Sequence, residues 1–182
     1  MQNLEEILDI LDLGSTEEKI KVLENLDRTG NSEILEKIIL KLDDEDIRVR
    51  GEAFSSLVLN ENKISNILIR NLNSTNKNIR GFTTLVLANR MDINAISEIM
   101  KLTKDKSSMV RACAIGALGH LKAQEAKGIF LNSIFDSNLE VKKSSLQAII
   151  DLDMSISDSK IKDINKEKDQ EIEKLLSKIK TK

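Results

Sequence analysis

A pattern that recurs about every 31 residues constrains this chain more than any other feature of its sequence. Four copies of a branched apolar residue followed by a basic residue recur at this interval, with anchor spacings of 30, 31 and 31, at Val49, Ile79, Val110 and Val141. Small residues stand four positions after each anchor, and leucine or isoleucine stands eight positions after it, so these positions share one face of an α-helix. Repetition at this period indicates an array of helix pairs, because one pair cannot bury its own apolar face.

The buried face predicted for each copy consists of the anchor and the residues four, seven and eight positions later. These template residues are Val49, Ala53, Ser56, Leu57; Ile79, Thr83, Val86, Leu87; Val110, Ala114, Ala117, Leu118; and Val141, Ser145, Ala148, Ile149. Residues of the N-cap type precede the anchors by three positions, at Asp46, Asn76, Ser107 and Asn138. Ser15 and Glu18 have the spacing of a capping box, which predicts an earlier, degenerate copy with a helix to about Leu26.

A second apolar helix is predicted before each of these helices. Its last apolar residue is Leu11, Leu42, Leu72, Leu102 or Ile134. The unit is therefore helix A, a turn, helix B and a turn, repeated five times over residues 1–156. We predict that residues 157–182 form a capping helix, with N-cap candidates at Ser157 and Asp158, an apolar stripe weakened at Lys168, and fraying after about Lys166. An amphipathic arm that binds a partner is the alternative.

Composition supports an all-α chain. Proline is absent, aromatic residues make up 2%, apolar residues 40% and charged residues 32%, so nothing interrupts the helices sharply and the usual strand formers are scarce. The single cysteine, Cys113, excludes an internal disulfide. An acidic N-terminus and the lack of a long apolar stretch lead us to expect a cytoplasmic protein.

The repeat resembles a known family. The stretch from Asp46 to Leu57, with the spacing D-x-x-V-R-x-x-A-x-x-S-L, and "VRACAIGAL" from Val110 to Leu118 resemble HEAT repeats. They look most like the short bacterial and archaeal HEAT-like repeats first associated with phycobilin lyases, over about residues 3–153. The resemblance implies a right-handed α-α superhelix, an α-solenoid with B helices along its concave face. It implies little about function, because such folds serve many functions.

A column of basic residues follows the anchors, at Arg50, Arg80, Arg111 and Lys142. One interpretation is a ladder of cations that binds phosphates or an acidic partner. The other is structural, with each cation reaching carbonyls or cap residues beside the seam between repeats. We favour the structural interpretation, because the column follows the repeat and a cation near a helix N-terminus needs a partner.

The face of helix B opposite the template gives the candidate partner surface. Its middle copies place Phe82, Leu85, Met109 and Cys113 where the flanking copies are polar, and an apolar patch with a polar rim is typical of a partner site. Arg48 and His120 lie on the same stripe in their copies. Alternatively, Phe82 and Leu85 fill gaps between repeats.

Charge is segregated along the chain. Residues 1–46 carry 5 basic and 14 acidic side chains, residues 47–131 carry 13 and 6, and residues 132–182 carry 10 of each. Such asymmetry can steer an acidic partner to the middle repeats or favour contacts between copies of the chain. An acidic pI near 5.6 without Trp or Tyr argues against a nucleic-acid partner, although the basic middle keeps that alternative open.

The sequence carries no catalytic signature. One histidine and one cysteine are too few for a metal or nucleophilic site, and P-loop, dinucleotide-binding and hydrolase motifs are missing. We therefore expect no enzyme, cofactor or metal, but a scaffold or adaptor that binds a protein or peptide on its concave face. The alternatives are an accessory or chaperone-like subunit of a bilin-lyase-like cofactor-attachment enzyme, and a nucleic-acid or acidic-partner binder.

Overall fold

The structure, a computed structural model, describes residues 3–164 and 168–181 of the chain. It divides into two compact units, unit 1 (Met1–Ala95) and unit 2 (Ile96–Lys182). Within the described residues the chain forms twelve α-helices, three single 3-10 turns and one pair of two-residue strands. The prediction of an all-α fold built from helix pairs is confirmed. The expected fraying after Lys166 falls at the edge of residues 165–167, which lie outside the described part.

Unit 1 contains three helix pairs, each with an A helix followed by a B helix. They are α1 (Leu4–Leu13) and α2 (Thr16–Leu23), α3 (Ser32–Leu40) and α4 (Ile47–Leu59), and α5 (Ser65–Asn71) and α6 (Lys77–Asn89). The predicted capping box is present, since Ser15 and Glu18 cap each other's backbone at the start of α2. The helix ends at Leu23 and not near Leu26, because the backbone continues in shorter turn bonds from Asn25 to Val22 and from Leu26 to Leu23.

Unit 2 contains two further pairs and the C-terminal segment. Its helices are α7 (Ile96–Leu102) and α8 (Ser108–His120), α9 (Lys127–Ser133) and α10 (Leu139–Asp151), and then α11 (Asp158–Ile164) and α12 (Gln170–Leu176). The C-terminal segment thus contains two short helices in place of the single predicted helix. The parallel strands β1 (Ser155–Ile156) and β2 (Lys180–Thr181) pair at its two ends.

The template residues form the core of each unit. Every predicted template position from Val49 to Ile149 is buried, as are the last apolar residues predicted for the A helices, Leu11 to Ile134. Small template residues leave room for the neighbouring helix, and the leucines and isoleucines fill the space that remains. The residues that recur in the sequence are therefore the residues that pack together in the core of each unit.

Local hydrogen bonds define the ends of the B helices. Asp46, Asn76 and Asn138 accept hydrogen bonds from backbone N–H groups in the first turn, whereas Ser107 stands at the N-cap without such a bond. At the other end, Met91, Lys122 and Asp153 take the left-handed conformation, with φ of 54°, 52° and 50°. The residue after each of them bonds back across the last turn of the helix, as in a Schellman motif.

Candidate functional site

Helices α4 and α6 of unit 1 enclose a groove that is almost entirely apolar. The groove has a volume of about 350 Å³. We call it the apolar groove, and its lining consists of Ile47, Arg50, Gly51 and Phe54 from α4 and Phe82 and Leu85 from α6. Both helices belong to the same unit and contact each other, so their backbones hold the two walls in place.

Gly51 explains why the groove is open on the α4 side. A Cβ atom placed on Gly51 would meet no atom within 4 Å, so the absent side chain leaves free space beside Phe54. Ile47 forms the rim and is 71% exposed, while Phe54, Phe82 and Leu85 are half-buried. Phe82 and Leu85 thus pack against their surroundings and also present part of their surface to the groove.

Arg50 contributes its aliphatic stem to the groove and directs its charge away from it. Its guanidinium donates hydrogen bonds to the carbonyls of Asp44 at 2.8 Å and Glu45 at 3.1 Å, in the turn that precedes α4. Long cationic side chains commonly cover apolar surface in this way while the head group finds polar partners. The groove wall therefore remains apolar despite the arginine.

Two other members of the basic column make related contacts. Arg80 donates to the carbonyls of Ser74 and Thr75 at 2.8 and 3.0 Å. Arg111 donates to the Asp105 carbonyl at 2.9 Å, and Lys142 is buried. Arg80 and Arg111 are thus engaged within their own units, at the turn that joins helix A to helix B.

Arg111 also holds a carboxylate by two hydrogen bonds. Its Nε and Nη2 atoms each lie 2.8 Å from the carboxylate oxygens of Asp136. These hydrogen bonds lower the pKa of Asp136 and raise that of Arg111. A two-point pair of this kind fixes the orientation of the guanidinium as well as its charge, which ties the turn before α10 to α8.

Arg48 lies on α4 but does not line the apolar groove. Its guanidinium pairs with Asp46 at 2.8 Å and with Glu17 at 3.4 Å. The hydrogen bond from Arg48 is the main reason why the pKa of Asp46 lies well below its ordinary value. Arg48 therefore links α4 to α2 on the exposed side of unit 1.

The remaining predicted partner residues belong to unit 2. Met109 and Cys113 are half-buried neighbours on α8, with 3.7 Å between their sulfur atoms, and His120 is exposed at the end of the same helix. Burial raises the pKa of the Cys113 thiol to about 11, so the thiol stays protonated at neutral pH and is a poor nucleophile. A patch that joins these residues to Phe82 and Leu85 remains a prediction.

Unit 2 has a groove of its own between α8 and α10, with a different lining. This polar groove has a volume of about 300 Å³. Its lining consists of Gly116, Gly119, Lys143, Ser144, Gln147, Ala148, Asp151, Glu171 and Leu175. Lys143 pairs with Glu171, with Glu140 at 3.6 Å and with Asp169 at 3.8 Å. The α12 side chains thus reach the groove and balance its cation.

Three residues of the apolar groove, Ile47, Gly51 and Phe54, were not among the predicted partner residues. The predicted partner surface follows one stripe at the same positions in every copy. A groove between consecutive helices is lined by different positions on its two walls, −2, 2 and 5 from the anchor on α4 and 3 and 6 on α6. Pairing these stripes across successive copies is the signal that would have found them.

The described residues contain no group of three or more His, Cys, Asp or Glu side chains that could hold a metal ion. In the same part of the chain, every helix is too short or too polar to span a lipid bilayer. The lining of the apolar groove offers contact with apolar groups.

Comparison with known proteins places the fold. Residues 64–150 match the family described as HEAT repeats, and none of the curated proteins compared matches the chain. An engineered protein from the Northeast Structural Genomics Consortium aligns with a TM-score of 0.54 and 16% identity, over 98% of this chain and 95% of its own.

Designed armadillo repeat proteins are also similar to this chain. One, solved in complex with the peptide (KR)4, has a TM-score of 0.52 and 17% identity, with 97% of this chain and 98% of its own covered. Another, designed for modular peptide recognition, has a TM-score of 0.51 with the same identity and coverage. At such identities the likeness shows the fold alone. The predicted helical-repeat fold class and the HEAT resemblance are confirmed, while the phycobilin-lyase subclass remains a resemblance.

Proposed function

We propose that the chain, whose residues 64–150 match the family described as HEAT repeats, is a non-catalytic scaffold that binds a peptide or a protein segment in the apolar groove of unit 1. The observation that carries the proposal is the groove itself. Aromatic and aliphatic side chains form its walls, and the space over Gly51 is unfilled. A volume of about 350 Å³ suits individual side chains of a partner.

The fold supports this choice over a catalytic role. A designed armadillo repeat protein of similar fold was solved with a bound peptide, so helical repeats of this kind offer surfaces on which a peptide can lie. Association would remove the exposed face of Ile47 and the exposed parts of Phe54 and Phe82 from water. This is the contribution expected of an apolar anchor at an interface.

The test fills the groove without removing any packed side chain. Leucine at position 51 would occupy the free space on the α4 side and is a better helix former than glycine, so Gly51→Leu should fold as the wild type does. Truncation of Phe82 or Leu85 is less informative, because both side chains are half-buried and their loss would also affect stability.

We would select peptides from a random 12-residue display library against the wild-type chain and measure the affinity of the enriched peptides. We expect binding at least about tenfold weaker for Gly51→Leu, since the anchor side chain loses its place. Gly128→Leu is the matched control, because Gly128 is also an exposed helical glycine with no atom within 4 Å but lies on α9 and lines neither groove. The proposal is refuted if the selected peptides bind both variants as tightly as they bind the wild-type chain.

A further inference from the structure

The guanidinium of Arg50 lies beyond one end of the apolar groove, at the turn before α4, and it is only partly used. Its Nη1 atom donates to the carbonyls of Asp44 and Glu45. Its Nε and Nη2 atoms have no hydrogen-bond partner, and the side chain has no ion pair, among the residues that the structure describes. An arginine that is half-buried thus keeps one edge of its guanidinium, with two parallel donors, unoccupied.

The equivalent arginine of unit 2 shows what that edge does when a carboxylate is within reach. Nη1 of Arg111 donates to the carbonyl of Asp105 at 2.9 Å, as Nη1 of Arg50 donates to that of Asp44 at 2.8 Å. The Nε and Nη2 atoms of Arg111 then hold the two carboxylate oxygens of Asp136, each at 2.8 Å. The two arginines therefore share the contact with the backbone and differ in the contact with a carboxylate.

One residue in the sequence explains the difference. Asp136 stands five positions before the anchor of its copy, and Asp44 stands at the same position of its copy, where it pairs with Lys19 of the preceding copy at 3.0 Å. In the copy that follows Arg50, this position is Ser74. The Ser74 hydroxyl accepts a backbone N–H of its own turn at 3.2 Å, as the aspartates do in theirs, but it brings no charge to the arginine.

Open space lies beside the position where the carboxylate is missing. Ser74 lines a polar cleft with a volume of about 480 Å³. Asp44 and Glu45, whose carbonyls Arg50 binds, line the same cleft. The short serine side chain thus leaves room next to the turn that holds the guanidinium, and the cleft and the apolar groove lie on either side of Arg50.

The acidic side chains of the cleft do not take the place of the missing partner. Asp44 is paired with Lys19 at 3.0 Å and Lys41 at 4.0 Å. Asp43 accepts hydrogen bonds from two asparagine side chains. Glu45 is exposed, so water and salt screen its charge. A carboxylate from outside the chain is therefore the group that suits the open edge of the guanidinium, because two-point pairs of this kind are short-range and specific in geometry.

From this arrangement we infer that the partner segment carries an aspartate or glutamate about three residues from the apolar side chain that enters the groove, and that this carboxylate binds Nε and Nη2 of Arg50. Six residues separate Gly51 from Glu45, a helical rise of about 9 Å that about three extended residues cover. The inference rests on the proposed function and specifies the chemistry of the partner. The apolar side chain supplies contact area, and the carboxylate fixes the register of the segment.

The same peptide library tests the inference when selection is repeated against two variants that each add one carboxylate. Ser74→Asp supplies, within the chain, the carboxylate that the other copies have, and it keeps the hydrogen bond of the turn. Thr75→Asp is the matched control, because it adds the same charge at the next residue, an exposed position where the preceding copy has Glu45. We expect wild-type peptides to carry an acidic residue about three positions from an apolar one. They should bind Ser74→Asp about tenfold more weakly and Thr75→Asp with nearly unchanged affinity.

A double-mutant cycle assigns the effect to Arg50. The enriched peptides are synthesised with amidated C-termini, so that the only carboxylates are side chains, and their acidic residue is replaced by the corresponding amide. This change should weaken binding to the wild type about tenfold and should have little effect on binding to Arg50→Gln. Arg50→Lys keeps the charge but lacks the two parallel donors, so its loss of affinity for the acidic peptides should be intermediate.

The possible outcomes separate the inference from the proposed function. Peptides that depend on Gly51 but show no acidic preference would overturn the inference and leave the groove as a binding site. The same holds if the acidic preference survives in Ser74→Asp, is lost equally in Thr75→Asp, or shows no coupling to Arg50 in the cycle. If no enriched peptide is sensitive to Gly51→Leu, the proposed function fails and the inference fails with it. A dimer in sedimentation that Gly51→Leu dissociates would identify a second copy of the chain as the occupant and would overturn the inference.

Discussion

The apolar groove of unit 1 and the polar groove of unit 2 are made from the same helix template and have similar volumes, but they differ in the polarity of their linings. At the third and sixth positions after the anchor, α6 carries Phe82 and Leu85, whereas α10 carries Ser144 and Gln147. The first groove has an apolar lining, and the second contains the ion pairs of Lys143. The template residues build the helices, and the residues outside the template decide what each groove can bind.

How closely the helices approach each other also differs between the two grooves, as one glycine beside each groove shows. Gly51 borders empty space, whereas a Cβ atom on Gly119 would lie 2.8 Å from the Cβ atom of Ala148. In unit 2 the glycine therefore lets α8 approach α10 closely, while in unit 1 the glycine leaves a vacancy on the surface. Glycine thus either permits close helix packing or leaves open space on the surface, depending on how near the neighbouring helix lies.

The largest effect is expected from Gly119→Val. The added side chain would overlap Ala148 and force α8 away from α10, which should lower the free energy of unfolding by about 1–3 kcal/mol. Gly116→Ala on the same helix is the control, and it should raise stability by up to about 1 kcal/mol because alanine is the better helix former. Urea denaturation measures both, and equal stability of the two variants would mean that α8 and α10 are not in close contact.

The next effect concerns the helix that carries Phe82 and Leu85. Asn76 accepts hydrogen bonds from the N–H groups of Asn78 and Ile79 at 2.8 and 3.4 Å, so Asn76→Ala should cost about 1 kcal/mol of unfolding free energy. Ser107 occupies the same position before α8 without such a bond, and Ser107→Ala should change stability by less than about 0.5 kcal/mol. Thermal denaturation measures the stability of both variants. Similar losses of stability for the two would contradict the expected difference in capping.

A local effect is expected in the polar groove. Lys143→Gln removes the cation that faces Glu171 and Asp169, so the amides of α12 should exchange hydrogen faster while those of α4 and α6 stay protected. The control is Ser144→Ala, which leaves the ion pairs of Lys143 in place. Unchanged exchange in α12 after Lys143→Gln would show that the ion pairs do not hold the helix.

The pH dependence of the same contact follows from the two pKa shifts. A hydrogen bond to Glu171 raises the pKa of Lys143 above its ordinary 10.5, so its contribution is complete below that pH and is lost as the pH rises through the raised value. Bonds from the backbone, that of Ile172 foremost, lower the pKa of Asp169 below its ordinary 3.8, so its contribution is complete above that pH and is lost on further acidification. Protection of α12 should therefore be highest between these limits.

The smallest effect concerns the single thiol of unit 2. Because burial raises the pKa of Cys113 to about 11, thiol reagents at pH 8 should react far more slowly with the folded chain than with the chain in urea. Between pH 8 and 10 the rate for the folded chain should rise about tenfold per pH unit. Rapid labelling of the folded chain at pH 8 would show that Cys113 is accessible and ionised.

The sequence predicts the fold well because its signals are local and repeated. The template positions, the cap residues and the capping box at Ser15 depend on spacing along one helix, and four copies report the same spacing. The pairing of β1 with β2 could not be predicted, because it joins residues 155–156 to 180–181 through a segment without strand signals. The split of the C-terminal segment into α11 and α12 had only a faint sign, the weak point at Lys168.

The candidate site was predicted in part. Phe82 and Leu85 lie in the apolar groove, but Ile47 and Phe54 come from the preceding copy, where the stripe that was compared contains Arg48 and Glu52. Which stripes face each other across a groove depends on how neighbouring helices are rotated, and a single repeat does not encode that rotation.

The left-handed residues at the ends of α6, α8 and α10 give the chain a capacity for adaptation. Met91, Lys122 and Asp153 adopt a conformation that glycine accepts without strain and other residues accept at a cost of about 1 kcal/mol or more. None of the three lines either groove. A change to glycine at these sites could therefore offset a destabilising change in a groove, so that new binding specificities could arise while the fold persists.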